Sequence, residues 1–235
     1  MPPTDILHPR GKDLTVLGER FGVAVLKDLI RSLRYLYFKA SPDADPSNMR
    51  LHLSDCPEFE DIPLKVHYSA SSTFHAPRDP SGMNRLRREY IRATPSWRRG
   101  ASRFDSVFVN KNNGLQGLLG LEVARVRLFF SFRIRDEDHA CAAVHWYGRT
   151  DDEPDDDTGM WVVKPLYHRR RRGLGNLPLC SVISLDTIVH AAHLVGVVLD
   201  QEVSPTLRSE DSLDTFKEFF VNKYIDHHAF ELLNV

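Results

Sequence analysis

The feature that most constrains the fold is a strict alternation of apolar side chains over residues 124–134. Because successive side chains of a β-strand point to opposite faces, the pattern predicts a long strand with one face in the core. The turn-forming residues 135–138 and the apolar run 140–147 predict that the chain returns as an antiparallel hairpin. The predicted core face comprises Ala124, Val126, Leu128, Phe130, Phe132 and Ile134, and the other face Arg125, Arg127, Phe129, Ser131, Arg133 and Arg135.

Further short strands are predicted on both sides of this hairpin. Apolar runs typical of strands occupy residues 104–109, 160–163 and 179–185, and Leu64, Val66 and Tyr68 alternate briefly. Several short strands separated by turns are typical of a small, curled antiparallel sheet or barrel.

Two amphipathic helices are predicted at the ends of the sheet. The first has an apolar stripe over residues 26–37 and should end near Ala40, before a proline-rich turn. The second follows Pro205, is capped by Asp211 or Ser212, and has the apolar stripe Leu213, Phe216, Phe220 and Tyr224. Prolines predict a loop-rich middle between the first helix and the long strand. The sequence therefore predicts an α+β fold, with an N-terminal helical arm and linker over 1–60 and a β-rich domain over 61–235 that ends in the C-terminal helix.

Composition limits the class of protein and its partners. With 42% hydrophobic and 27% charged residues among 235, the chain can build an ordinary globular core. Its formal net charge of −1 creates no global field, so attraction to nucleic acid must come from local patches. The longest apolar stretch, 194–199, is far shorter than the roughly 20 residues that span a bilayer, and residues 1–10 lack a signal-peptide core. We therefore expect an intracellular protein without a membrane partner.

No catalytic motif is found in the sequence. A nucleophilic serine or cysteine needs a presenting turn and a neighbouring base, and the chain contains no Gly-x-Ser-x-Gly. Gly114, Gly117 and Gly120 lack the Lys-Ser/Thr ending of a phosphate-binding loop. The three cysteines, Cys56, Cys141 and Cys180, have no paired spacing, which favours buried free thiols. We expect a protein that is not an enzyme and uses no cofactor.

Two groups of histidines are candidate metal ligands. In a helix, Asp186, His190 and His193 would lie one turn apart on one face. Core-type residues surround them and no fourth ligand is placed by the spacing, so structural, hydrogen-bonded histidines are the better interpretation. The Asp226-His227-His228 run is expected at or past the end of the last helix, where imidazolium suits the helix dipole. We predict no metal site.

An arginine-rich segment provides the candidate nucleic-acid site. Residues 78–103 contain eight arginines against two acids, with Tyr90 and Trp97 interleaved. Arginines with aromatics suit phosphate contact and base stacking, but they also suit arginines that bridge loops to the sheet, and both interpretations stay open. The predicted binding residues are Arg85, Arg87, Arg88, Arg92, Trp97, Arg98 and Arg99. The acidic run 151–157 and the basic run 169–172 are interpreted as solvated loops.

Aromatic residues on neighbouring predicted strands give the alternative site. Trp146, Tyr147 and Trp161 could cage a methylated lysine of a chromatin tail or another peptide, although such residues more often pack in a core. The order of strands resembles that of bromo-adjacent homology domains. The alternative function is therefore a small-barrel chromatin or peptide reader.

A series of phrases along nearly the whole chain resembles a known family. They include residues 53–57, 67–70, 76–82, 87–98, 123–132, 144–146, 157–163, 185–189, 191–194 and 221–231. In this order they resemble the C-terminal region of fungal Plavaka-type transposases. The resemblance implies an origin in a mobile element and a nuclear location. It also implies a non-catalytic fragment, because that family's acidic catalytic core and zinc finger lie upstream of this region. A transposase remnant without present function is therefore a further alternative. The basic run 169–172 departs from the family pattern, and no functional residue is carried over.

Overall fold

In the structure, a computed structural model, the alternating segment forms one strand of the central hairpin. The structure describes residues 5–7, 11–39, 63–75, 86–112, 114–134, 136–168, 176–198 and 202–234. The strands are β1 (Asp5–Leu7), β2 (Leu64–His67), β3 (Ser69–His75), β4 (Leu86–Thr94), β5 (Arg103–Phe104), β6 (Ser106–Asn110), β7 (Leu121–Ile134), β8 (Glu137–Arg149), β9 (Val162–Pro165), β10 (Tyr167–His168), β11 (Leu177–Pro178), β12 (Cys180–Ser184), β13 (Ile188–Ala192), β14 (Leu194–Gly196) and β15 (Phe219–Val221). The helices are α1 (Gly11–Phe21), α2 (Leu26–Lys39), α3 (Ser212–Thr215) and α4 (His227–Leu233).

The predicted core face of β7 is confirmed. All six of its alternating apolar side chains are buried, and β7 pairs antiparallel with β8 along its length. The opposite face is also covered, because Phe129 and Arg125 are buried as well. A register shift between Val126 and Leu128 interrupts the simple alternation. The central hairpin is therefore enclosed on both faces over much of its length.

The sheet curls around this hairpin into a nearly closed antiparallel barrel, as the sequence predicted. Its strand order is β1-β2-β7-β8-β9-β15-β14. Strands β6 and β2 share β7, pairing with its first and second halves, while β12 and β9 share β8 in the same way. Strand β13 extends the sheet beyond β6. Each long strand thus has different neighbours along its length, which lets the sheet bend.

The N-terminal helices pack on the barrel. Helix α2 matches the predicted helix, and α1, which was not predicted, precedes it. Phe21, Leu26 and Ile30 are fully buried in the same hydrophobic cluster as Leu64 and Phe130 of the sheet. The predicted boundary at residues 60 and 61 lies outside the described residues. No helix in the described parts of the chain is long and apolar enough to cross a membrane.

The prediction of a long helix after Pro205 is wrong. Helix α3 stops at Thr215, and Phe219–Val221 forms β15 between β14 and β9. Phe219 and Val221 are buried on one side of that strand, so sheet pairing and burial outweigh the helical spacing of the apolar residues. A separate helix, α4, begins after Asp226, whose carboxylate accepts a hydrogen bond from the Ala229 N–H at 2.8 Å. The Asp226-His227-His228 run therefore starts a helix, where the sequence had suggested the end of one.

The short strand predicted at Leu64, Val66 and Tyr68 is confirmed as β2, but the prediction of a loop-rich middle is wrong for residues 69–75 and 86–94. These residues form β3 and β4, which pair with each other over seven residue pairs. The sequence of β3, mostly serine and threonine, carries little apolar alternation, so its strand is specified by pairing with β4. The arginine-rich segment is thus held on regular strands.

Candidate nucleic-acid interface

The β3–β4 hairpin has one polar, solvent-facing side. Arg88, Tyr90 and Arg92 alternate along β4, so they share one face. Their cross-strand partners on β3 are Thr73, Ser71 and Ser69, in that order. These partners are short and uncharged, so within the described residues β3 and β4 place no acid on this face. We call this surface the outer face of the hairpin.

The opposite side of the hairpin anchors it to the barrel. Ile91 is buried in the main cluster, and the Glu89 carboxylate accepts the Ala191 N–H of β13 at 2.8 Å. Phe74 stacks on His228 of α4, with ring centroids 4.3 Å apart. The only acid of β4 is therefore turned away from the outer face and used in docking.

A buried polar cluster lies beneath this anchor. His190 is 2% exposed, and its Nδ1 donates to the Ala191 carbonyl at 2.6 Å. Its Nε2 has no hydrogen-bond partner and lies 3.7 Å from Glu89 and 3.8 Å from Asp226. Burial raises the pKa of Glu89, opposed by the attraction of His190, and burial lowers the pKa of His228. The cluster connects the hairpin to β13 and α4.

Arginines surround Trp97 where β4 leads into β5. The guanidinium carbons of Arg92, Arg98 and Arg103 lie 4.2, 5.4 and 5.7 Å from the Trp97 ring centroid. Asp105 pairs with Arg103 at 2.8 Å and accepts the Arg92 N–H at 2.9 Å. Burial and the neighbouring charge of Arg103 lower the pKa of Arg92. The site thus concentrates positive charge around a half-buried indole.

A strained turn carries two neighbouring arginines of the arginine-rich segment. Arg98 and Arg99 have φ angles of 50° and 64°, and the Gly100 N–H donates to the Trp97 carbonyl at 2.8 Å. This arrangement is that of a type I′ turn, which favours Asn-Gly. Left-handed backbone at non-glycine residues costs on the order of 1–3 kcal/mol each. The turn places two exposed arginines at the tip of the β4–β5 hairpin.

A cleft of about 390 Å³ opens beside Trp97. It is lined by Trp97 and Arg103 and by Ser209, Glu210, Ser212 and Leu213. The buried Arg125 lines it and is held by a bidentate pair with Asp214 at 2.6 and 3.0 Å. Since Arg125 is already paired, it orients the wall of the cleft, and the exposed arginines remain the groups available to a ligand.

The predicted site residues fall into three groups. Arg88, Arg98 and Arg99 are exposed, whereas Arg92 and Trp97 are partly buried against each other. Arg87 is exposed at the far end of β4, opposite Phe74. Arg85 and the basic run 169–172 lie outside the described residues. The sequence prediction omitted Arg103 from the binding residues, although its place in the arginine-rich segment was visible.

The structure separates the aromatic residues of the alternative site. Trp146 packs against the main cluster and donates to the Ser181 hydroxyl, while Tyr147 and Trp161 belong to a second cluster with Phe219. A cavity of about 420 Å³ is lined by Trp146 and Tyr147, and Lys111 Nζ lies 5.6 Å from the Trp146 ring centroid. Trp161 is covered by Arg149 at 5.1 Å. The three aromatics do not form one cage.

The two cysteines in the described residues are buried. Burial raises the pKa of Cys141 to about 12 and of Cys180 to about 11, which disfavours the thiolate form. His190 lies in strand β13, so it does not share a helical face with His193 and Asp186. Within the described ranges, no three His, Cys, Asp or Glu side chains are arranged to hold a metal ion.

Comparisons with known proteins leave this geometry as the main guide to function. No protein-family model matches the chain, and no curated protein or solved structure matches it either.

Proposed function

We propose that the protein is a non-catalytic, transposon-derived domain that binds nucleic acid through the outer face of the β3–β4 hairpin and the adjoining β4–β5 turn. The observation that carries the proposal is the one-sided charge of this surface. Residues 86–105 contain six arginines and two acids. One of those acids, Glu89, is turned inward to Ala191, and the other, Asp105, is paired with Arg103.

The arginines of this surface fall into two groups, those that already have partners within the protein and those that are exposed to solvent. Arg92 and Arg103 are engaged with Trp97 and Asp105, which fits a positioning role. Arg88, Arg98 and Arg99 are exposed and form no ion pair within the described residues, and Arg98 lies 5.4 Å from the Trp97 ring centroid. Exposed, unpaired guanidinium groups on a hydrogen-bonded hairpin favour phosphate contact over internal bridging.

The energetics of such a surface predict a salt-dependent, weakly selective interaction. Phosphate contacts release condensed counterions, so affinity falls steeply as salt concentration rises. Phosphate contacts carry no base information, so sequence preference should be slight. Because the whole chain has a net charge of only −1, the local patch must supply this attraction.

The test is a salt titration of binding to short labelled DNA duplexes and single strands, followed by fluorescence anisotropy. Replacing Arg88, Arg98 and Arg99 together with alanine should abolish or strongly weaken binding. Arg88→Ala alone should reduce the slope of log affinity against log salt by about 0.9 on duplex DNA if it removes one phosphate contact. The matched control is Arg133→Ala, because Arg133 is also exposed but lies near Asp138, at 4.0 Å.

Thermal unfolding measured on the same variants separates the two interpretations of the arginines. Under the proposal, the triple variant keeps its melting temperature while it loses binding. If the triple variant binds as tightly as the parent protein, the proposed function is wrong. If it unfolds at a markedly lower temperature, the arginines are structural bridges.

The origin in a mobile element rests on the resemblance to Plavaka-type transposases. It is tested by the genomic neighbourhood of the coding frame. An adjacent upstream frame that encodes a transposase catalytic core would support the origin. Intact, unrelated neighbouring genes in several genomes that carry this chain would argue for an independent protein.

A peptide-binding function is the second candidate, favoured by the cavity beside Trp146. Lys111 Nζ already lies over this ring and is held by Glu122 at 2.6 Å, so the indole accepts a cation there. A trimethyllysine peptide would replace this contact. Titration with such a peptide should then give binding that Trp146→Ala abolishes and that Lys111→Ala strengthens. Equal affinity for the unmethylated peptide would exclude the aromatic-cage mechanism.

A further inference from the structure

The most exposed aromatic ring of the proposed interface is Tyr90. Resting on the proposed function, we infer that the ligand class is single-stranded nucleic acid and that Tyr90 is the side chain on which a base stacks. Tyr90 lies at the centre of the outer face and is 54% exposed.

Trp97, the aromatic residue that the sequence favoured, is already occupied. Arg92 lies 4.2 Å from its ring centroid, whereas the same guanidinium group lies 5.8 Å from the Tyr90 ring centroid. Trp97 is also partly buried, and a base that stacked on the face beneath Arg92 would have to displace that guanidinium group. Trp97 therefore serves as the packing centre for the arginines, and Tyr90 is the ring open to a ligand.

The neighbours of Tyr90 leave its ring accessible and fix its position. Its cross-strand partner is Ser71, which is itself exposed and too short to cover the ring. Arg92 lies 5.8 Å from the ring centroid and donates to the Tyr90 carbonyl at 3.3 Å. The phenol thus stands on a strand anchored from below by Glu89 and Ile91.

The spacing of charges along β4 suits a single strand. Arg88 and Arg92 flank Tyr90 on the same face, each about 6.6–6.8 Å away along the strand, because the rise is about 3.3–3.4 Å per residue. An aromatic ring between two cations pairs base stacking with phosphate contact, which is how proteins bind single strands without sequence preference. In a duplex the base faces are covered by neighbouring bases, so Tyr90 would have no surface to stack on.

The experiment compares Tyr90 variants on single-stranded DNA, single-stranded RNA and duplex DNA by fluorescence anisotropy. Tyr90→Ala should weaken single-strand binding by about 5- to 160-fold, the range measured for loss of one base–aromatic stack. Tyr90→Phe should bind nearly as the parent, because it keeps the ring. Duplex binding should change less than about twofold in both variants. The matched control is Tyr224→Ala, because Tyr224 is 59% exposed but lies outside the arginine-rich surface.

The salt dependence gives a readout that a change in structure would not reproduce. Tyr90→Ala removes a stacking contact and no phosphate contact, so the slope of log affinity against log salt should stay unchanged while the affinity falls. Arg88→Ala should lower that slope by about 0.7 on single strands. Melting temperatures should be unchanged because both side chains are exposed.

The outcomes distinguish the inference from the function on which it rests. If no nucleic acid binds, both fail. If the protein binds duplex and single strand equally and Tyr90→Ala changes neither, the nucleic-acid function stands and the single-strand inference is wrong. Similar affinities for DNA and RNA would show that the protein stacks on bases without contact to the 2′-hydroxyl, as the inference expects. A loss of affinity in the Tyr90→Phe variant would assign the contact to the phenolic hydroxyl instead of the ring.

Discussion

The two antiparallel hairpins β7–β8 and β3–β4 have the same topology and opposite surroundings. The first is buried on both faces over much of its length, and Val126, Leu128 and Phe130 are almost inaccessible to solvent. The second buries one side through Ile91 and Phe74 and exposes the side that carries Arg88 and Tyr90. One hairpin therefore specifies the fold, and the other is free to carry charge.

The difference also appears in what holds each hairpin. Apolar burial stabilises β7–β8, whereas β3–β4 depends on cross-strand pairing and on a few contacts to β13 and α4. The adjoining turn at Arg98 and Arg99 adds backbone strain. Regions that bind ligands are often less stable than the core, because their residues are selected for contact with the ligand. Variants of the two hairpins test whether one of them stabilises the fold and the other contacts the ligand.

The largest expected effect is in the core hairpin. Phe130→Ala should lower the free energy of unfolding by about 3–5 kcal/mol, because it removes a ring that is 1% exposed and leaves a cavity. Tyr90→Ala on the other hairpin should change it by less than about 0.5 kcal/mol, as is usual for exposed sites. Urea denaturation of both variants measures the contrast. A similar loss in the two variants would mean that the outer face is part of the core structure.

The same contrast explains which parts of the fold the sequence could predict. In β7, apolar residues alternate over eleven positions because one face of the strand lies in the core. The pattern therefore records the burial of that face directly. In β3, serine and threonine satisfy no core, and the strand exists because Arg88, Tyr90 and Arg92 of β4 pair with it. Pairing with a distant segment leaves no local pattern, so the sequence suggested loops.

The C-terminal error has a related cause. Leu213, Phe216 and Phe220 have helical spacing, and the local pattern favours a helix. In the structure, the edges offered by β9 and β14 turn residues 219–221 into a strand. Those edges come from parts of the chain more than twenty residues away, so no local window contains them.

The candidate site was predictable in its charge but not in its geometry. The density of arginines in residues 78–103 pointed to the segment on which the proposed surface lies. Which aromatic ring is open depends on side-chain packing: Trp97 is covered by arginines, and Tyr90 is not buried. The inward turn of Glu89 depends on Ala191, a residue about one hundred positions away. Such contacts are properties of the folded chain.

The next largest effect is expected at the strained turn. Replacing Arg98→Asn together with Arg99→Gly should raise the free energy of unfolding by about 1 kcal/mol or more, because the pair suits a type I′ turn. The same change should weaken nucleic-acid binding, since it removes two exposed charges. Denaturation and anisotropy on one preparation measure both effects.

Alanine at the same two positions is the control that separates charge from strain. Arg98→Ala with Arg99→Ala removes the charges but keeps non-glycine residues at φ angles of 50° and 64°. It should weaken binding as the Asn-Gly variant does, without the gain in stability. If the Asn-Gly variant is no more stable than the alanine variant, the turn stores no strain worth relieving.

The smallest expected effect concerns the pH dependence of the anchor beneath the binding hairpin. Burial lowers the pKa of His228 from its ordinary value of 6.5, with a further contribution from His190 and opposition from Asp226 and Glu231. The folded protein therefore takes up this proton less readily than the unfolded chain. Stability should fall as the pH drops below about 6.5 and should level off once the folded protein is protonated too.

His228→Phe tests this contribution because it keeps a ring against Phe74 and removes the titrating nitrogen, which is buried without a hydrogen-bond partner. His67 and His145 also have pKa values lowered by burial, so the variant should retain part of the slope of unfolding free energy against pH. Only the difference between the two stability curves reports on His228.

The difference between the two slopes must stay below about 1.4 kcal/mol per pH unit, the limit for one proton, and solvent screening of this partly buried ring makes it smaller. The measurement belongs between about pH 7.5 and 5.5, because the raised pKa of Glu89 acts in the opposite direction as that carboxylate gains its proton. Parallel curves for the two proteins across this range would mean that burial does not lower the pKa of His228.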